Sequence, residues 1–121
     1  MRTFLTLLCL WHGGNGLWML LAPADWFMRV PGVRGTGQEN VHLIRDVGLG
    51  FLAAAAALGL AALTPAMRRV LVAVALVFVG GHGVLHLLEM LSGSEGAARD
   101  GVLILLPAFL PLAVYLKGAR R

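Results

Sequence analysis

Four long apolar stretches leave this chain few polar residues for the surface of a soluble protein. They cover residues 3–22, 41–63, 70–91 and 102–116 of 121, and a helix needs about 20 such residues to span the hydrocarbon of a bilayer. Hydrophobic residues make up 59% of the chain and charged residues 13%, with a mean hydropathy of +0.82. This composition excludes a soluble globular domain. We therefore predict an all-α integral membrane four-helix bundle that forms a single transmembrane domain over residues 1–121.

The charged residues predict the orientation of the four helices. One set of basic residues gathers at helix ends on one side of the membrane, and a second set lies opposite, among acidic residues. The first set comprises Arg2, Arg68, Arg69, Lys117, Arg120 and Arg121, and the second comprises Arg29, Arg34 and Arg99 with Asp25, Glu39, Glu95 and Asp100. The positive-inside rule then places both termini in the cytoplasm and the loop over residues 23–40 on the outer side of the membrane. The net charge of +4 requires no nucleic acid, because a basic rim is an ordinary anchor to anionic lipid.

Single residues add structural constraints. The fourth stretch is short and holds Pro107 and Pro111 one helical turn apart. Proline has no N–H, so we expect a kink there and a neighbouring helix that shields the freed carbonyl groups. The single Cys9 excludes an internal disulfide and a CxxC redox pair. In the outer loop Trp26 is typical of an interfacial anchor, and Asn40 suits the N-terminal turn of the second long helix.

Polar and ionisable side chains within the apolar stretches are the strongest functional candidates, because burying them in lipid is costly. They are His12, Asn15, His42, Arg45, Asp46, His82, His86 and Glu89. Counted at about 1.5 Å per residue from the outer helix ends, His12 and His82 share one depth. Asp46 and His86 share another, nearer the outer surface. Every ionisable group inside the membrane therefore falls in its outer half.

Helical spacing divides these candidates into two sets. His42 and Asp46 are four residues apart, and His82, His86 and Glu89 follow at intervals of four and three, so each set lies along one helix face. Facing helices of a bundle often donate imidazole and carboxylate ligands to one metal. We predict an outward-facing transition-metal site with the ligands His82, His86, Glu89, Asp46 and His42. Iron, zinc or manganese suits such ligands, and copper suits them less because no Cys or Met is among the candidate ligands. With a redox metal the protein would be an oxidoreductase.

Other interpretations of the same residues stay open. Glycine residues flank both level histidines and leave room for a flat macrocycle, so that His12 and His82 would ligate haem b in an electron-transfer subunit. His and Asp side chains would also relay protons without a metal in a proton-coupled carrier or assembly factor. Packing is the third interpretation. His12 would then hydrogen-bond a neighbouring helix, Arg45 and Asp46 would form a structural pair with each other or with Glu89, and His42 would lie in water.

Two segments resemble a known group of proteins. ENVHLIRDVGLGFL, at residues 39–52 after a loop with Pro and Trp, and GGHGVLHLLE, at residues 80–89, are similar to segments of small four-helix bacterial membrane proteins of the DoxX-like group. The resemblance covers most of the chain and implies a four-helix bundle with both termini inside. Better-known relatives are linked to quinone-coupled thiosulfate oxidation, but no residues here match a quinone site. A quinone, a partner membrane subunit and a second copy of the chain all stay open as partners.

The asymmetry of Arg and Lys makes the topology testable. Reporter fusions after Arg69 and after Arg121 should both report the cytoplasm, and a fusion within residues 31–37 should report the outside. A cytoplasmic signal from the fusion in that loop would overturn the orientation and, with it, the outward-facing site.

Overall fold

The computed structural model describes residues 1–93 and 97–118, and within these ranges the regular structure is entirely helical. The α-helices there are α1 (Arg2–Leu21), α2 (Pro23–Arg29), α3 (Val41–Leu63), α4 (Arg68–Leu91), α5 (Ala97–Asp100) and α6 (Leu106–Gly118). Short 3-10 helices cover Val33–Thr36 and Pro65–Met67, and a π-helical segment, Gly101–Leu105, leads into α6. The all-α prediction is confirmed. Glu95, Arg120 and Arg121, which contributed to the predicted orientation, lie outside the described residues.

Three helical stretches are long and apolar enough to cross a membrane, namely Arg2–Leu21, Val41–Leu63 and Pro65–Leu91. A further apolar helical stretch, Gly101–Lys117, is shorter. The chain therefore has the helices of a membrane protein. The predicted stretch 41–63 coincides with α3, and the first and third predicted stretches differ from α1 and α4 by one or two residues at an end.

The long helices pack side by side, α1 against α3, α3 against α4, and α4 against α6, whereas α1 and α6 touch each other much less. Neighbours run antiparallel, since Gly16 near the end of α1 lies beside Gly48 near the start of α3. The bundle therefore has two ends. We call the end where α1 and α4 terminate the acidic end; it carries Asp25, Glu39, Asp46, Glu89 and Asp100. The opposite end, here called the basic end, carries Arg2, Arg68, Arg69 and Lys117.

Small residues let α1 and α3 approach closely. A Cβ added to Gly16 would lie 2.7 Å from the Gly48 carbonyl oxygen, and one added to Gly48 would lie 2.9 Å from the Met19 Cβ. Both are shorter than any real contact of a Cβ. Without a hydrophobic effect between helices in lipid, such close backbone contact supplies much of the association energy. The α1–α3 pair is therefore the tightest part of the packing.

The segment over residues 23–40 was expected to be a loop, but it begins with the helix α2. Pro23 occupies the first turn of α2 and Asp25 follows it, which is the composition that favours helix initiation. Two indole N–H groups fix the helix: Trp18 donates to Asp25 and Trp26 donates to Asn15, each at 2.9 Å. Arg29 and the Trp18 indole hold the pKa of the Asp25 carboxyl below its usual value. Asn15 thus has a structural partner.

Asn40 caps α3 as the sequence predicts, since its side-chain oxygen accepts a hydrogen bond from the Leu43 N–H at 3.0 Å. Gly32 and Gly37 have positive φ angles of 88° and 135°, a conformation that glycine adopts without strain. Gly32 also lies against the Arg99 guanidinium group, which binds Asp100. The connections at the acidic end are therefore held to one another and to the helices.

Alanine substitutions at two glycines of α1 should have opposite effects. Gly16→Ala places a Cβ against the Gly48 backbone, and we expect it to lower the free energy of unfolding by about 1–3 kcal/mol. Gly14 has nothing within 4 Å of an added Cβ, so Gly14→Ala should raise the free energy of unfolding by up to about 1 kcal/mol through helix propensity. Unfolding titrations in detergent measure both. Equal effects would contradict the close α1–α3 packing.

Candidate functional site

An aromatic cluster crosses the bundle from α1 to α4. The His12 ring of α1 stacks on Phe51 of α3 with 5.9 Å between centroids, and Phe51 meets the His82 ring of α4 edge-on at 5.2 Å. Phe78 contacts both Phe51, at 5.1 Å, and His82, at 6.2 Å. Since both imidazoles contact Phe51, they lie at one level of the bundle.

His12 is bound to the backbone of α6. Its side chain is buried, and Nε2 lies 3.3 Å from the Pro107 carbonyl oxygen. A carbonyl only accepts, so Nε2 carries the proton and donates it. In an α-helix the Pro107 carbonyl would be paired with the N–H of residue 111, but that residue is Pro111 and has none. His12 therefore supplies the missing donor, which is the shielding by a neighbouring helix that the two prolines predict.

This hydrogen bond bears on the haem interpretation. Haem iron binds an unprotonated ring nitrogen, whereas Nε2 of His12 is engaged with Pro107. The His12 and His82 rings also both contact Phe51. Ligation of haem b by His12 and His82 would require His12 to leave its present partner, and the haem interpretation stays a prediction.

Three candidate residues follow one another along α4. The His82 and His86 rings lie 4.7 Å apart between centroids, and His86 Nδ1 lies 3.5 Å from a Glu89 carboxylate oxygen. The His86 side chain is 25% exposed and that of Glu89 67%. The three side chains, here called the α4 row, therefore run from the aromatic cluster to the surface of the acidic end. A shallow groove lined by Leu88, Glu89, Ser92 and Gly93 opens beside it.

The candidate residues on α3 lie apart from the α4 row. His42 Nε2 contacts Asp46 at 3.2 Å, and their side chains are 89% and 56% exposed. Asp46 was predicted to share a metal with residues of α4, but its partner is a residue of its own helix. Arg45 was expected to form a structural pair with a carboxylate in the packing interpretation. Its Nε instead donates to the Leu20 carbonyl oxygen at 3.3 Å, one of the carbonyls that the end of α1 leaves without a helical donor.

The five predicted metal ligands therefore separate into two local sets. Among the residues that the structure describes, no group of three or more His, Cys, Asp or Glu side chains is arranged as a metal site. His42 and Asp46 interact at the exposed start of α3, while His82, His86 and Glu89 share a face of α4. A contact between residues four apart forms within one helix and needs no neighbouring helix, which explains the separation.

Two features of the site were not predicted from the sequence. Phe51 and Phe78 were not among the sequence candidates, yet they form the wall against which both imidazoles pack. The partner of His12 was not named either, although a signal for it exists, because the position four residues before Pro111 has an unpaired carbonyl in any α-helix.

Comparison with known proteins adds no relatives, since no family model, curated protein or solved structure matches the chain. The resemblance to the DoxX-like group therefore remains an expectation from its two sequence segments.

A double-mutant cycle tests whether His12 serves the Pro107 carbonyl. His12→Phe keeps a ring against Phe51 but removes the N–H donor, and we expect it to lower the free energy of unfolding by about 1–3 kcal/mol because a buried carbonyl is left unpaired. Pro111→Ala provides a backbone N–H for the same carbonyl. In the Pro111→Ala protein, His12→Phe should therefore cost clearly less.

The cycle is measured by unfolding titrations of the four proteins in one detergent, since the coupling energy isolates the shared interaction. Trp11→Phe is the matched control, because Trp11 is the neighbouring ring on α1 and is 51% exposed; it should show no coupling to Pro111. An equal cost of His12→Phe in both backgrounds would show that His12 does not replace the missing donor.

Proposed function

We propose that this chain is a four-helix protein of the bacterial inner membrane, with both termini in the cytoplasm, whose α4 helix carries an outward-facing transition-metal site. His82 and His86 are the protein ligands and Glu89 orients His86. The observation that carries the proposal is the α4 row, in which these three side chains lie along one face of the helix. Ionisable side chains inside a membrane helix are costly to keep and mark functional sites.

The spacing of the two rings supports a shared metal. With a metal–nitrogen distance of about 2.0–2.1 Å, two imidazoles on one tetrahedral or octahedral ion have ring centroids about 4.5–5.2 Å apart. The His82 and His86 centroids are 4.7 Å apart. The separation of the two rings therefore matches that of two imidazoles on one ion, and their nitrogens would have to turn toward it.

Glu89 has a different role from the two imidazoles. A carboxylate beside Nδ1 of a histidine favours the tautomer with the proton on Nδ1 and leaves Nε2 free to bind metal. His86 Nδ1 faces Glu89 at 3.5 Å, which supports this arrangement. Phe51 and Phe78 restrict water on the inner side of His82, and an apolar wall of this kind tunes a metal site.

Two protein ligands leave further coordination positions for water or a substrate, as in catalytic rather than structural sites. The groove beside Glu89 provides access from the acidic end. Iron, zinc and manganese accept imidazole and oxygen ligands, and with iron or manganese the site would support redox chemistry. His42 and Asp46 lie outside this ligand set.

Metal loading tests the proposal directly. Protein stripped with a chelator and reloaded with Fe²⁺, Zn²⁺ or Mn²⁺ should retain metal, and His82→Ala and His86→Ala should each lose most of it. Glu89→Gln should weaken the affinity by about 10–100-fold, the usual cost of losing an orienting carboxylate. Elemental analysis after gel filtration measures the retained metal.

The matched control is His42→Ala, a histidine at the same end of the bundle with a carboxylate four residues away. It should retain as much metal as the unchanged protein. Full metal retention by His86→Ala would contradict the assignment. If His42→Ala and Asp46→Asn lost as much metal as His86→Ala, the site with all five predicted ligands would be favoured over the α4 row.

A further inference from the structure

Among the described residues, the basic end of the bundle carries positive charge without acidic neighbours. The chain has six acidic residues; Asp25, Glu39, Asp46, Glu89 and Asp100 lie at the acidic end, and Glu95 is outside the described ranges. At the basic end the described residues supply Arg2, Arg68, Arg69 and Lys117. An anion that approaches this end therefore meets attraction without compensating repulsion.

Two of these basic side chains are engaged with the protein. Arg68 Nε donates to the Ala61 carbonyl oxygen at 3.1 Å, and the Arg69 guanidinium lies 4.8 Å from the centre of the Tyr115 ring. Lys117 differs, because it lies at the edge of a groove. Arg2 is exposed on the first turn of α1, at the same end.

The groove separates the N-terminal turn of α1 from the C-terminal half of α6. It is lined by Met1, Phe4, Ala113, Val114 and Lys117 and encloses about 280 Å³. It exists because α1 and α6 pack loosely, held together by the His12–Pro107 hydrogen bond nearer the middle of the bundle. Four of its five lining side chains are apolar, and Lys117 is the charged one.

We propose that this groove binds one anionic phospholipid, with the phosphate at Lys117 and part of one acyl chain along Phe4, Ala113 and Val114. Apolar walls below a cation match a lipid, whereas a free phosphate ion would leave those walls uncovered. Basic pockets between helices on the cytoplasmic side recognise anionic headgroups in the same way. The proposal rests on the membrane topology proposed above but not on the metal site. If the metal site were disproved, the lipid site would be unaffected, and the reverse also holds.

The test compares lipids retained by the full chain. Purified protein is titrated with dioleoyl-phosphatidylglycerol or dioleoyl-phosphatidylcholine in mixed micelles, and bound lipid is counted by native mass spectrometry. We expect one phosphatidylglycerol to be retained in preference to phosphatidylcholine. Lys117→Gln should weaken phosphatidylglycerol binding about fivefold, and Lys117→Arg should preserve it.

A second pair of variants separates the groove from the charge. Ala113→Phe fills the groove and leaves every charge in place, so it should reduce binding by a similar factor. Leu112→Phe adds a ring at the neighbouring position, which is exposed and does not line the groove, and it should bind as the unchanged protein does.

Three results would overturn the proposal. Unchanged binding in Ala113→Phe would show that the basic end attracts lipid only through its net charge. Equal losses in Ala113→Phe and Leu112→Phe would place the lipid on the general surface of α6. Displacement of phosphatidylglycerol by millimolar inorganic phosphate or glycerol phosphate would show that the site recognises the phosphate group alone.

The metal content of Ala113→Phe should match that of the unchanged protein, which keeps this test independent of the metal site.

Discussion

The hydrogen bond from His12 to the Pro107 carbonyl is the interaction on which the arrangement of the helices most depends. A carbonyl without a donor costs several kcal/mol, or about 1–3 by mutational measures, in an apolar environment. Pro111 creates such a carbonyl in α6, and a side chain from a neighbouring helix can satisfy it. His12 does so from α1, and the first and last long helices are thereby joined although they share little other contact.

The four histidines of the chain differ in their surroundings. His12 is buried and donates a hydrogen bond from Nε2 to the Pro107 carbonyl oxygen, so its ring is fixed. His42 lies at an exposed helix start, where its partner is one turn away on the same helix. His82 and His86 have each other, an aromatic wall and a carboxylate, but neither of them donates to a backbone carbonyl within the described residues. Metal chemistry is therefore proposed only for this pair.

The sequence predicted the helices well and the side-chain partners less well. Apolar length determines where a membrane helix begins and ends, so α3 was placed correctly at both ends and α1 and α4 within two residues. The helix α2 was missed because seven residues with one Pro and two charges show no apolar period. His12 and His82 were correctly predicted to lie at one level, since both contact Phe51. Depth alone does not specify a partner, and Asp46, placed level with His86, pairs with His42 of its own helix instead.

Close packing on one side of the bundle and looseness on the other follow from where the small residues and the prolines lie. Gly16 and Gly48 bring α1 and α3 into backbone contact, which turns α1 toward α3 and leaves it only a limited contact with α6. The prolines of α6 then fix the height of that contact, because His12 must reach Pro107. Toward the acidic end from this height lie His86 and Glu89, and toward the basic end α1 and α6 separate into the groove beside Lys117. One hydrogen bond therefore separates the two proposed sites along the bundle, and a change that releases it should disturb the geometry on both sides.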